Sequence, residues 1–198
     1  MAQRQAYHHG DLPATLQRQV LELIDEGGLE AVTMAEVARR AAVTAAAPYR
    51  HYDGLNDLLA ATGITCYAEF TERLDAAVAS VPATEPLEQI CAMIRAYFTY
   101  ALSNPGASKL LFDGRLVRSS PEFATLIGGD YLRIAEATAR AVDRPVQECR
   151  TLALNISALV LGHMKLHVDG VSPVSSPSEA PELAVAAVRD LIKHAMKR

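Results

Sequence analysis

The sequence predicts an all-α protein: a small N-terminal three-helix module followed by a larger helical body. Three observations carry this. Apolar residues recur at helical spacing along nearly the whole chain, strand alternation is nowhere sustained, and Gly and Pro punctuate the pattern at intervals suited to helices. With 198 residues, half of them hydrophobic, the chain has material for a sizeable core. The domain boundary is expected near residue 54, giving a helix-turn-helix module over 1–54 and a larger helical domain over 55–198.

The first helix begins after Asp11, with Leu16, Val20, Leu23 and Ile24 on one face, and Gly27-Gly28 ends it. Leu29 and Val32 anchor the following turn. Thr33 and Glu36 form a Thr-x-x-Glu capping box for a second helix that places Val37, Ala38 and Ala41 together and stops near Ala42. Val43 is expected to tuck into the core. Thr44 offers a hydroxyl cap for a third helix running through Tyr49 to Tyr52. Two short helices joined by a tight turn make a helix-turn-helix.

A longer helix is predicted from Leu55 to about Val81, ended by Pro82 and Pro86. Thr84 or Glu85 opens the next, which carries Leu87, Ile90, Met93, Ile94, Tyr97 and Phe98 and halts at Ser103-Asn104-Pro105-Gly106. Ala107 to Val117 reads as a shorter helical piece interrupted near Asp113-Gly114. Pro121 suits the first turn of a helix running toward Ala141, and Asp143-Arg144-Pro145 separates it from Val146 to Val168. That helix is apolar nearly all round at Leu152 to Gly162, which demands burial on several sides. A loose Ser- and Pro-rich segment, Asp169 to Pro181, precedes a last helix with Ala184, Val188, Leu191, Ile192 and Ala195 on one stripe and Lys193, Lys197 and Arg198 at its C-terminal end.

The net charge of −4 argues against a protein that coats nucleic acid without regard to sequence. Any DNA contact must be local, because Arg4, Arg18, Arg39, Arg40 and Arg50 are outnumbered within the module by Asp11, Glu22, Asp25, Glu26, Glu30, Glu36 and Asp53. Cys66, Cys91 and Cys149 are widely spaced and form no Cys-x-x-Cys pair, so buried reduced thiols are expected. No apolar run is judged long or clean enough to cross a bilayer, and the N-terminus lacks the order of a signal peptide. A cytoplasmic location and no membrane partner follow as expectations. His163 and His167 stand four residues apart, but no nearby carboxylate or cysteine completes a metal site, and none is predicted. No nucleophile elbow, zinc-protease motif, phosphate loop or dinucleotide fingerprint is present. The chain is therefore expected to be neither an enzyme nor a cofactor carrier.

Tyr7-His8-His9-Gly10-Asp11-Leu12, the helix Leu16 to Glu26, the run Thr33 to Thr44 and Ala46-Ala47-Pro48-Tyr49-Arg50-His51-Tyr52 together resemble the tetracycline-repressor (TetR) family of bacterial transcriptional regulators. The resemblance covers about the first quarter of the chain. It implies a homodimer, paired through the last two long helices, that reads a palindromic operator in double-stranded DNA with half-sites one helical turn, roughly 34–36 Å, or a multiple apart. It also implies a C-terminal pocket whose small-molecule effector lowers operator affinity.

The residues expected to meet DNA are Thr33, Thr44, Ala45, Ala46, Ala47, Tyr49, Arg50 and His51: Thr33, Tyr49 and His51 for phosphate, Thr44 to Ala47 for base edges with the alanine methyls suited to thymine, and Arg50 for base or phosphate. The residues expected to line the effector pocket are Tyr67, Phe70, Met93, Tyr97, Tyr100, Phe112, Tyr131, Asn155 and His163, an apolar and aromatic set with few polar handles. Departures from the family pattern are Leu55 where a phosphate-contacting lysine is usual, Ala42 where the turn commonly has glycine, and Pro48 within the recognition segment. The expected function is a dimeric regulator, a repressor released by an apolar or aromatic effector. The alternative is a small-molecule-binding helical protein whose DNA binding is weakened or lost.

Overall fold

The computed structural model describes residues 11–168, 170–172, 176 and 178–197. The His8-His9 arm, Arg4, part of the Ser- and Pro-rich segment and Arg198 lie outside them. Among the described residues all regular structure is helical. The contacts divide the chain into two compact units: one runs to Cys66 and takes in Pro105–Ser120, and the other holds Tyr67–Asn104 and the residues from Pro121 onward.

In the first unit, α1 (Leu12–Gly27) starts where Asp11 accepts the amide of Ala14 at 3.1 Å. Gly28, at φ +74°, takes the left-handed turn that ends it. Leu16, Val20, Leu23 and Ile24 are the buried stripe of α1, as their spacing demands. A 3-10 turn, Leu29–Ala31, leads to α2 (Met34–Arg40), whose first turn is capped by the Thr33 hydroxyl accepting from the Glu36 amide at 3.2 Å. Met34, Val37 and Ala38 face inward. Two short helices, α5 (Pro105–Leu111) and α6 (Gly114–Ser119), complete the unit. Gly106 permits α5 to approach α1 closely, since a Cβ there would stand 2.6 Å from the Leu21 carbonyl oxygen. Lys109 puts its ammonium 3.4 Å from the Ile24 carbonyl at the C-terminal end of α1, where the helix dipole favours a cation.

The predicted third helix of the module, Thr44 to Tyr52, is not an α-helix. Residues 45–47 form turns, and only Pro48–Arg50 make a 3-10 turn. The cause is Pro48, which has no N–H to bond the Thr44 carbonyl; that carbonyl accepts instead from Ala47 at 2.9 Å, and the next bonds, Arg50 to Ala47 and His51 to Pro48, keep the tighter spacing. Thr44 thus enters this segment through its carbonyl rather than as the hydroxyl cap expected. Val43 is half-buried, and Pro48 and Tyr52 are the residues turned inward.

The long helix α3 (Leu55–Ala79) belongs to the first unit through Cys66 and to the second from Tyr67. The second unit adds α4 (Pro86–Ser103), α7 (Pro121–Val142), α8 (Val146–Val168) and α9 (Glu179–Met196). α7 and α8 form a hairpin turned at Asp143, which takes a left-handed φ of +53°. α4 is tied to α9 by Arg95 to Glu182, at 2.6 and 2.8 Å, and by Arg189 to Glu88. Buried hydroxyls bond to their own helices: Thr138 to Ile134 at 2.7 Å and Ser157 to Ala153 at 3.0 Å. The three cysteines are free and buried, and burial pushes the Cys91 and Cys149 thiols above their ordinary range.

α8 amends the reading of apolar runs. Its 23 residues reach a mean hydropathy of 1.2, so by length and composition alone it could cross a bilayer. In this fold it is a bundle helix: Cys149, Ala153, Ile156, Val160 and Met164 lie on the face turned to α7 and α9.

Candidate nucleic-acid interface

The interface is built by the end of α2 and the segment that follows. Pro48 and Tyr52 face inward and fix the segment from below; the Tyr52 hydroxyl accepts from the Gln17 side chain on α1 at 3.2 Å. Anchoring at 48 and 52 turns the intervening residues outward. Tyr49 is 58% exposed, and Arg50 and His51 are exposed beside it. Thr44, Ala45 and Ala46 are exposed and Ala47 is half-buried. Thr33 is also exposed. The residues expected to meet DNA therefore share one accessible stretch, apart from Thr33 at the N-terminus of α2.

The cations near this stretch are unequal. Arg39 forks onto Glu36 at 2.8 and 2.6 Å. Arg40 bonds Glu36 at 3.1 Å and forks onto Glu26 of α1 at 2.7 and 2.6 Å. The Arg39 guanidinium, and then that of Arg40, hold the Glu36 carboxyl down at about 2. Arg40 likewise draws the Glu26 carboxyl down. Arg50, by contrast, meets no carboxylate among the described residues. The Glu26–Arg40–Glu36–Arg39 chain escaped the sequence reading, although the three- and four-residue spacings around Glu36 were its visible signal. Leu55, half-buried at the start of α3, supplies no charge.

The residues expected to line an effector pocket are scattered in part. Tyr67, Phe70, Met93, Tyr97 and Tyr100 are buried in the second unit. Phe70 joins the rings, at 6.4 Å from Tyr67, 5.9 Å from Tyr97 and 5.3 Å from Tyr100. Phe123, not anticipated, stands edge-on to Tyr67 at 6.2 Å. Burial pushes the Tyr97 hydroxyl pKa well up, and burial with the nearby Asp130 does the same for Tyr67. Phe112 falls in the first unit and is exposed, as are Tyr131 and Asn155 on α7 and α8; His163 is half-buried.

Residues 20–62 match the family described as bacterial regulatory proteins, tetR family. The sequence matches none of the curated proteins. Solved structures share the fold across nearly the whole chain. A protein of unknown function from Rhodococcus sp. RHA1 is 22% identical with a TM-score of 0.76, over 96% of this chain and 98% of its own. A TetR-family transcriptional regulator from Streptomyces coelicolor is 16% identical with a TM-score of 0.68, over 92% and 98%. The fatty acid degradation regulator FadR from Bacillus halodurans is 12% identical with a TM-score of 0.71, over 96% and 97%. Over residues 20–62 the chain is similar to the tetR family of bacterial regulatory proteins, and across nearly its whole length it has the fold seen in the Streptomyces coelicolor regulator.

Proposed function

We propose that the protein is a cytoplasmic, non-enzymatic homodimer that represses transcription from a palindromic operator and is released by a small apolar or aromatic effector. Residues 1–54 read DNA, and residues 55–198 bind the effector and pair the two copies. The observation that carries the reading is the outward presentation of Thr44 to His51 over inward Pro48 and Tyr52. Thr33, Tyr49 and His51 contact phosphate, Arg50 contacts phosphate or a base edge, Thr44 reaches a base edge, and Ala45, Ala46 and Ala47 meet thymine methyls.

Pairing through α8 and α9 is supported by what their outer faces carry. Leu154, Ala158, Gly162 and Leu166 on α8, with Leu183 and Ala186 on α9, are exposed, an apolar surface with small residues that lets helices approach closely. The effector body is supported by the ring cluster around Phe70, and unequal effector affinity between DNA-fitting and non-fitting states would couple the two functions.

Operator selection with the purified protein, followed by titration against the selected duplex, tests the reading. Specific binding by a sedimenting dimer is expected, with loss of binding in Tyr49→Ala plus His51→Ala. Undiminished binding by that double variant would reject the site. One observation favours a second reading, in which DNA binding is weakened: Arg39 and Arg40 are neutralised within the module and Leu55 adds no cation. Absence of any selected operator together with effector binding would establish it.

A further inference from the structure

On α7, the Oδ1 atom of Asp130 is shut off from water and has no hydrogen-bond partner. Buried acceptors are nearly always satisfied, and a carboxylate oxygen least tolerates being left alone. The two neighbours able to donate are turned elsewhere. The Tyr67 hydroxyl donates to the Leu126 carbonyl at 2.9 Å while also lying against the Asp130 carboxyl, which burial raises above its ordinary range and Tyr67 partly draws back. Arg133 directs its Nη1 at Asp75 on α3. Asp75 takes the Arg133 hydrogen bond, and Asp130 Oδ1 is left with none.

Aromatic rings adjoin it. Tyr67 leads to Phe123 at 6.2 Å and to Phe70 at 6.4 Å. An anion at the edge of a ring cluster suits an organic cation: the carboxylate takes the charge-assisted hydrogen bond, and ring faces attract positive charge through their quadrupoles. Gly128 and Gly129, directly before Asp130, have no side chains to obstruct approach, and a Cβ at either would meet nothing within 4 Å. Glycine also weakens this turn of the helix, which eases displacement of the backbone that carries Asp130.

We propose that Asp130 is the anchor for the protonated nitrogen of an effector whose body is aromatic. The proposal rests on the reading of the second unit as an effector-binding body and adds the charge of the ligand. Body packing alone would favour neutral aromatic compounds; Asp130 selects the ammonium form.

The test is calorimetric titration at pH 7.5 of the full-length protein with 2-(naphthyl)ethylammonium and with its neutral counterpart 2-naphthylethanol. The amine is expected to bind at least tenfold more tightly. Asp130→Asn, which preserves shape and removes charge, should erase that preference while leaving affinity for the alcohol unchanged. Glu136→Gln, an exposed acid on the same helix, should keep it. Equal affinity for the two probes, failure of both to bind, persistence of the preference in Asp130→Asn, or equal loss in Glu136→Gln would each overturn the proposal. Thermal unfolding of both variants checks that they fold. Because the readout needs no DNA, failure here leaves operator binding to be judged by its own titration.

Discussion

The amide of Val43 donates to the carbonyl of Ala38 at 3.0 Å, while the intervening Ala42 holds φ at +55°. With the Ala42 amide bonded to the Arg39 carbonyl at 3.2 Å, these two bonds close α2 in a Schellman motif, a geometry that ordinarily recruits glycine at the left-handed position. The direction of the chain into the DNA-facing segment is set here. An alanine in this conformation carries strain of about 1 kcal/mol relative to glycine, partly offset by the greater freedom glycine has when unfolded.

Ala42→Gly is therefore expected to stabilise the protein by about 0.5 kcal/mol or more, read as a raised denaturant midpoint at unchanged slope. Lower stability would mean that the turn relaxes in solution to a conformation alanine prefers.

The opposite sign is expected where space, not backbone conformation, is limiting. A methyl at Gly106 would lie 2.6 Å from the Leu21 carbonyl oxygen and 3.0 Å from the Asp25 carboxylate. Gly106→Ala should destabilise by about 1–3 kcal/mol through displacement of α5 from α1. An unaffected denaturation midpoint would show that α5 shifts freely.

Local signals made much of the fold readable. Asp11, Gly28, Thr33, Pro86 and Pro121 start or stop helices where their chemistry says they should, and α8 spans the residues its apolar run marks out. What escaped depended on events away from the local pattern. One proline missing an N–H changed the recognition segment from an α-helix to turns. The placement of α5 and α6 beside α1 arises from Gly106 meeting Leu21 and from Arg115 pairing with Glu30, partners far apart in sequence. The aromatic set was legible only as composition: Tyr67, Phe70, Tyr97 and Tyr100 converge, whereas Phe112, equally aromatic, lies on the other unit. Nothing in the spacing distinguishes them.

Gly128 and Gly129 offer a stability gain without contact changes. Both sit inside α7, and a Cβ at either would reach open space. Alanine at each position should stabilise the helix by about 0.5–1 kcal/mol. Additive increases in the thermal midpoint would bear this out; a loss would reveal a role for the unobstructed backbone that the isolated chain does not display.

Glu36 controls how much positive charge α2 can offer. Its carboxyl is held at about 2, below its ordinary 4.5, first by the Arg39 hydrogen bonds and then by those of Arg40. The folded state thus binds this proton less readily than the unfolded state. Its contribution to stability is fully present above about 4.5 and fades as pH falls toward 2, and carbon-detected NMR should place its titration midpoint in that low range. Glu36→Gln would abolish that acid-side fading and leave the Thr33 cap, which uses the residue's backbone amide, in place. Arg39, released from its carboxylate, becomes available to a phosphate. Operator affinity should then rise at low salt, and the slope of log K against log salt should steepen by about 0.9 for one added phosphate contact. A slope identical to that of the parent protein would show that Arg39 points away from the duplex even when unpaired.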